Sequence, residues 1–169
     1  GRREGGRALT TVAPRWIFLV HQLPPTPLYL RAKVRSRLER AGALALKNSV
    51  YVLPRSPEQL EDFQWIAQEA VAGGGEAWVL EADLSFGLED AELEDRFRRA
   101  RGPDFDALAR DLGDLRKEVS RTRRKAPSPA DLVTRLDRLQ KRFQELSAIA
   151  FFSCPERHTA ELALESLRT

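Results

Sequence analysis

The chain has one cysteine, two histidines and no apolar stretch long enough to cross a bilayer. Each shortage closes off a class of protein. The lone thiol, Cys154, has no partner for an internal disulfide, and a cytoplasmic setting is the simple expectation. Metal centres draw on clustered His, Cys and carboxylates; with only His21, His158 and Cys154 available, no metal and no cofactor is expected. A membrane-spanning helix needs at least about 18 apolar residues, so no membrane partner is expected. The first residues, GRREGGRALTTVAP, lack the apolar core of a secretory signal and are expected to form a disordered basic arm over residues 1–13. There is no P-loop, no dinucleotide-binding glycine fingerprint and no nucleophile elbow. Gly73-Gly74-Gly75 ends a helix and precedes a strand, the reverse of a phosphate loop, and is assigned to a helix stop and turn. The acidic run Glu89, Asp90, Glu92, Glu94, Asp95 lacks the alternating ligands and glycine of a calcium loop. No catalytic residue is assigned, and the chain is read as not being an enzyme.

Charge is present but segregated. Residues 1–55 carry eleven Lys and Arg against Glu4 and Glu39, whereas residues 56–95 carry twelve Asp and Glu and no cation at all. Residues 96–169 return to seventeen basic and eleven acidic groups. Either the blocks neutralise one another, within the monomer or across a dimer, or the basic ones meet an anionic partner.

The apolar pattern supplies the elements. Trp16 to Val20 is a short continuous apolar run and predicts a buried strand. Pro24, Pro25 and Pro27 mark a turn. Leu30, Val34 and Leu38 then recur every four residues, so they share one helix face, and Arg31, Lys33, Arg35, Arg37 and Arg40 cover the rest. Gly42 stops this helix, Ala43 to Leu46 gives a short extra strand, and Val50 to Leu53 the next. Ser56-Pro57-Glu58 starts a second helix, with Leu60, Phe63, Ile66, Ala67 and Ala70 as its apolar face. Ala77 to Leu80 is a further strand. The order predicts an α+β fold: a ferredoxin-like antiparallel sheet with helices on one face.

The second half is helical. Leu88 to Arg101 predicts a helix ended by Gly102-Pro103. Phe105, Leu108, Leu112, Leu115 and Val119 form one heptad seam, and Leu132, Leu136, Leu139, Phe143 and Leu146 a second. The breaker Ala126-Pro127-Ser128-Pro129 joins them, which predicts an antiparallel helical hairpin. Its tip, RKEVSRTRRK, carries six positive charges against one negative: a solvated helix end, or a phosphate-contacting tip. Ile149 to Phe152 is expected to be a strand added to the sheet, and Pro155 to begin a last helix with Leu162, Leu164 and Leu167. The expected organisation is one composite domain over residues 14–169: a core over 14–84, a helical region over 88–148 and a strand-helix return over 149–169.

Several of these segments resemble the N-terminal domain of the ChrB family of bacterial chromate resistance regulators. The likeness lies in Trp16, Leu23-Pro24, Arg31 to Arg40, Gly42-Ala43 and Val50-Tyr51-Val52-Leu53-Pro54. Gly74-Gly75-Glu76-Ala77 and Ile149 to Phe152 also look similar. The resemblance implies a cytoplasmic, chromate-responsive transcriptional regulator of a chromate efflux operon. Longer members of that family carry a second domain after this one. A more distant likeness links the first half to the ferredoxin-like modules of the CRISPR adaptation nuclease and the phenylacetate-responsive repressors. The nuclease carries an acidic residue where this chain has Val20-His21-Gln22, which disfavours metal-dependent nuclease chemistry.

The expectation is therefore a homodimeric regulator that binds operator DNA, chromate, or both. Its candidate anion-binding residues are Arg31, Lys33, Arg35, Arg37 and Arg40 on the basic helix and Arg121, Arg123, Arg124 and Lys125 at the tip. Arginine suits the task because its planar fork grips oxyanion oxygens in pairs. Two alternatives stay open: a chromate-handling redox protein using Cys154, with His158 four residues away, or a structural and dimerisation module of a larger regulator.

Overall fold

The computed structural model describes residues 13–121 and 128–168. Nine elements follow in order: β1 (Trp16–Gln22), α1 (Leu28–Arg40), β2 (Leu44–Lys47), β3 (Val50–Pro54), α2 (Pro57–Ala72), β4 (Glu76–Ala82), α3 (Asp90–Ser120), α4 (Pro129–Ala148) and α5 (Pro155–Glu165). The strands form one antiparallel sheet in the order β2-β3-β1-β4. The fold is α+β, and this arrangement of strands and crossing helices supports the ferredoxin-like assignment.

Strand alternation places two cores on the two faces of the sheet. Ile17, Leu19 and Leu53 are buried against Leu30, Val34 and Leu38 of α1 and Phe63 and Ile66 of α2. Trp16 and Val52 face the other way and are buried against Leu93 and Phe97 of α3. Local signals set the boundaries. Ser56 and Ser128 cap α2 and α4 by accepting the backbone N–H of Gln59 and Asp131, each at 3.2 Å, and a proline follows each serine. Past the end of α1, Gly42 has φ of +74°, and a Cβ there would lie 2.7 Å from that of Ile149. The left-handed turn and the close approach both call for glycine.

Two expectations fail in the helical half. Gly102-Pro103 does not end a helix: α3 runs unbroken from Asp90 to Ser120. A proline inside a helix removes one hydrogen bond and crowds the preceding turn. Packing on both sides outweighs this here. Phe97, before the proline, is buried against the sheet, and Phe105, after it, is buried in the helical cluster. Gly102 is buried, and a Cβ there would meet the Glu156 carboxylate at 3.2 Å, so its lack of a side chain lets α5 approach.

Ile149 to Phe152 is not a strand either; it connects α4 to α5 outside the sheet. Its apolar side chains return to the sheet half without strand pairing. Phe151 and Phe152 lie 5.9 and 5.6 Å from the Phe97 ring, and Phe151 contacts the clusters on both sheet faces. The hairpin does form. Ion pairs Arg135–Glu118 and Arg142–Asp111, at 2.5 and 2.7 Å, run in the antiparallel sense between α4 and α3.

Candidate anion-binding site

The burial of Leu30, Val34 and Leu38 turns the five cations of α1 outward. They do not form one surface. Residues two apart on a helix fall on opposite flanks, and the side chains divide accordingly. Lys33 and Arg37 lean toward α2 and pair with Glu69 at 3.3 and 2.5 Å. Arg40 joins Arg37, Asp62 and Trp65 around a cavity on that same flank. Burial, and the neighbouring charges of Glu61 and Glu58, raise the Asp62 pKa above its ordinary value.

Arg31 and Arg35 occupy the other flank, where they line a cavity of about 400 Å³. Its remaining walls come from the end of β1 and the β2–β3 turn: His21, Gln22 and Leu23 on one side, Asn48, Ser49 and Tyr51 on the other. Among the described residues, no carboxylate lines it. Arg31 has no ion-pair partner among the described residues, while Arg35 holds Glu39 through its Nε at 3.1 Å.

His21, which the sequence places at the end of the first strand either as a turn-facing residue or as a group projecting into a site, lines this cavity. It follows Ile17 and Leu19 on the buried side of β1 by strand alternation. Its ring lies 5.6 Å from that of Tyr51, and its Nδ1 is enclosed without a hydrogen-bond partner. Burial lowers the His21 pKa from its ordinary 6.5, and a hydrogen bond with the Ser49 backbone opposes the shift. The folded state therefore takes up a proton less readily than the unfolded chain, so stability falls as pH drops below about 6.5. Replacing His21 by Gln should flatten that part of the stability-pH curve. Thermal melts of both proteins between neutral and mildly acidic pH would check this; parallel curves would show that His21 is not responsible.

The other candidates fare differently. Arg121 is exposed and closes the end of α3; Arg123, Arg124 and Lys125 lie outside the described residues. The tip's one acid, Glu118, is engaged by Arg135, and that hydrogen bond lowers its pKa. Cys154 is buried in the helical cluster at the start of α5, whereas His158 is exposed beside Glu161 at 3.8 Å. Charge segregation is partly neutralised within the monomer. Arg15 pairs with Asp90 and Glu94, and Arg55 with Glu81. Among the described residues, no cluster of His, Cys, Asp and Glu could hold a metal ion, and no helix is long and apolar enough to cross a membrane.

Fold and site together define an α+β module with a helical hairpin and an arginine-lined cavity at one end of its sheet. The family model described as "Protein ChrB, N-terminal" matches residues 31–169, and the chain belongs to that family. Protein ChrB of Cupriavidus metallidurans is 28% identical over 85 residues, which is 50% of this chain and 26% of that protein. The match thus spans about a quarter of the relative's length. No solved structure matches the chain significantly.

Proposed function

We propose that the chain is a chromate-responsive transcriptional regulator of a chromate efflux operon, or the regulator's N-terminal part, binding operator DNA as a homodimer. Membership of the ChrB N-terminal family relates the chain to chromate resistance. The observation that carries the regulatory reading is the exposed pair Arg31 and Arg35 on one flank of α1, held outward by Leu30, Val34 and Leu38, while Glu69 engages Lys33 and Arg37 on the other flank. At the end of α3, Arg121 is exposed and offers a further cation to an anionic partner. Burial of Cys154 weighs against a redox role for the thiol.

The test is a gel shift of duplex DNA from the promoter region of the chain's own operon, across a salt series. Phosphate contacts release counterions, so affinity should fall steeply with salt. Absence of a shift at low salt, or insensitivity to salt, would remove the proposal. Changing Arg121, Arg123, Arg124 and Lys125 to Ala should weaken binding and reduce the salt slope by roughly 0.9 for each phosphate no longer neutralised. A thermal melt of the variant alongside the parent separates a loss of binding from a loss of folding. An unchanged slope would leave the tip a solvated helix end.

A further inference from the structure

We propose that β4 is the seat of self-association: two copies of the chain pair their β4 strands antiparallel and join two four-stranded sheets into one. This deepens the homodimer of the reading above and rests on it, but it does not require that the dimer bind DNA. A sheet edge carries unpaired N–H and C=O groups, and natural proteins blunt their edges against unwanted pairing. Here the two edges differ. β2 is four residues long, its register with β3 shifts between Ala45 and Lys47, and it ends on a lysine. Each of these features discourages further pairing. β4 is seven residues long, pairs with β1 without a register shift, and holds no lysine or proline.

The direction of β4's backbone groups follows from β1. The His21 N–H donates to the Ser49 carbonyl, and the Arg55 N–H to the Arg15 carbonyl, so odd-numbered residues of this strand turn their backbone groups toward β3. Even-numbered residues turn toward β4, where Val20 opposes Trp78 and Phe18 opposes Leu80. The backbone groups of Ala77, Val79 and Glu81 therefore point to the free edge. Among the described residues, no turn, loop or helix takes them up.

The strand sequence, EAWVLEA, suits pairing with itself. Centred on Val79, the pairing uses the whole strand. Val79 meets Val79 of the second copy, and Ala77 meets Glu81, at hydrogen-bonded positions. Trp78 meets Leu80 of the second copy at the positions where opposing side chains lie closest. These two side chains are 65% and 45% exposed in the single chain, on the sheet face of Trp16 but beyond the part that α3 buries. Charge agrees with this register. Glu76 meets Ala82 and Glu81 meets Ala77, so no glutamate opposes another, and Arg55 already holds Glu81 at 2.6 Å. Helix α2 packs on β4 and turns Glu69 toward α1. Its opposite flank overhangs the free edge and presents Gln64, Gln68 and Val71, all exposed and none charged. Residues 56–95 hold twelve acids and no cation, so an uncharged strip at this edge is what lets identical copies approach without repulsion. An isologous interface requires such self-complementarity.

Sedimentation velocity of the whole chain over a range of concentrations tests this, with amide exchange followed by NMR. A dimer is expected, and the Val79 and Glu81 amides should exchange more slowly as it fills. Trp78→Lys and Leu80→Lys, at exposed positions, should each raise the dimer dissociation constant roughly tenfold or more. Glu81→Pro removes an N–H that the single chain leaves free, together with a surface ion pair; an edge strand tolerates this, and the dimer should weaken. Circular dichroism checks that all three variants fold. Val133→Glu, exposed on α4, should leave the dimer unchanged. The proposal is overturned if the chain stays monomeric throughout, or if the β4 variants dimerise like the parent. It is also overturned if the outward amides of β4 exchange as fast in the dimer as in the monomer, or if Val133→Glu alone breaks the dimer. A dimer built on β4 that fails to shift DNA would keep this interface and remove the regulatory reading. A monomer that shifts DNA would do the reverse.

Discussion

Replacing Trp16 by alanine should destabilise the chain by roughly 3–5 kcal/mol, the range for removing a large buried aromatic. Trp16 is fully buried where the sheet meets the helical half. Its ring stacks on Phe97 of α3 at 6.0 Å and meets Phe152 at the same distance. Its indole Nε1 donates to Asp90 Oδ1 at 2.7 Å, at the first residue of α3. One side chain therefore joins β1, both ends of α3's sheet-facing segment and the returning tail. For a chain of this size the loss should lower the melting temperature by roughly 10 °C. Trp16→Phe separates the contributions. It keeps an apolar ring against Phe97 but removes the donor, and Asp90 retains Arg15 at 3.1 Å. About 1–2 kcal/mol is expected for that variant. Chemical denaturation of both proteins measures the difference. A loss under about 1 kcal/mol for Trp16→Ala would mean that the sheet and α3 are not joined through this ring.

Much of this architecture was legible because its signals are local. The four-residue spacing of Leu30, Val34 and Leu38 located α1, and the Ser-Pro pairs at 56–57 and 128–129 located the starts of α2 and α4. The two heptad seams located the hairpin. The errors arose where a local rule met a longer-range demand. Pro103 is a strong stop signal by itself, but nothing nearby in sequence reveals that Phe97 and Phe105 are both buried from opposite ends of one helix. Ile149 to Phe152 has the composition of a strand, yet its aromatic rings complete clusters whose other members lie up to about 135 residues earlier.

The candidate site was legible as a composition and not as a shape. Five cations on one helix are visible in the sequence; their division between two flanks follows from helical geometry and was available too. That Glu69 of α2 would neutralise Lys33 and Arg37, while Arg31 and Arg35 face a cavity that no described carboxylate lines, depends on how α1 and α2 pack. His21 is ambiguous in the sequence for a similar reason. Its place at the end of a strand allows a group that projects into a site, but a histidine that merely faces the proline turn fits the same pattern. Its role depends on the alternation that continues from Ile17 and Leu19 and on the arrival of Ser49 and Tyr51 from another hairpin.

Leu112→Ala should cost roughly 2–5 kcal/mol, while Leu139→Ala, at the equivalent place on the partner seam, should cost only about 1–2. The sequence makes the two seams look equal and predicts similar losses. The structure does not treat them equally. Phe105, Leu108, Leu112 and Leu115 of α3 are almost fully buried, enclosed by α4 on one side and α5 on the other. No residue of α4 is fully buried; Leu132, Leu136, Leu139, Phe143 and Leu146 are only half covered. Removing Leu112 leaves a closed void, whereas removing Leu139 opens a shallow notch that water or neighbouring side chains can fill. Equilibrium denaturation at low protein concentration should show the difference. Near-equal losses would mean that α4's apolar side is covered in solution. If the Leu139 penalty then grew with protein concentration, as mass action requires for a self-associating chain, the covering surface would be a second copy and the hairpin would be the seat of the proposed homodimer. If the penalty held constant, the covering surface would have to lie within the chain itself.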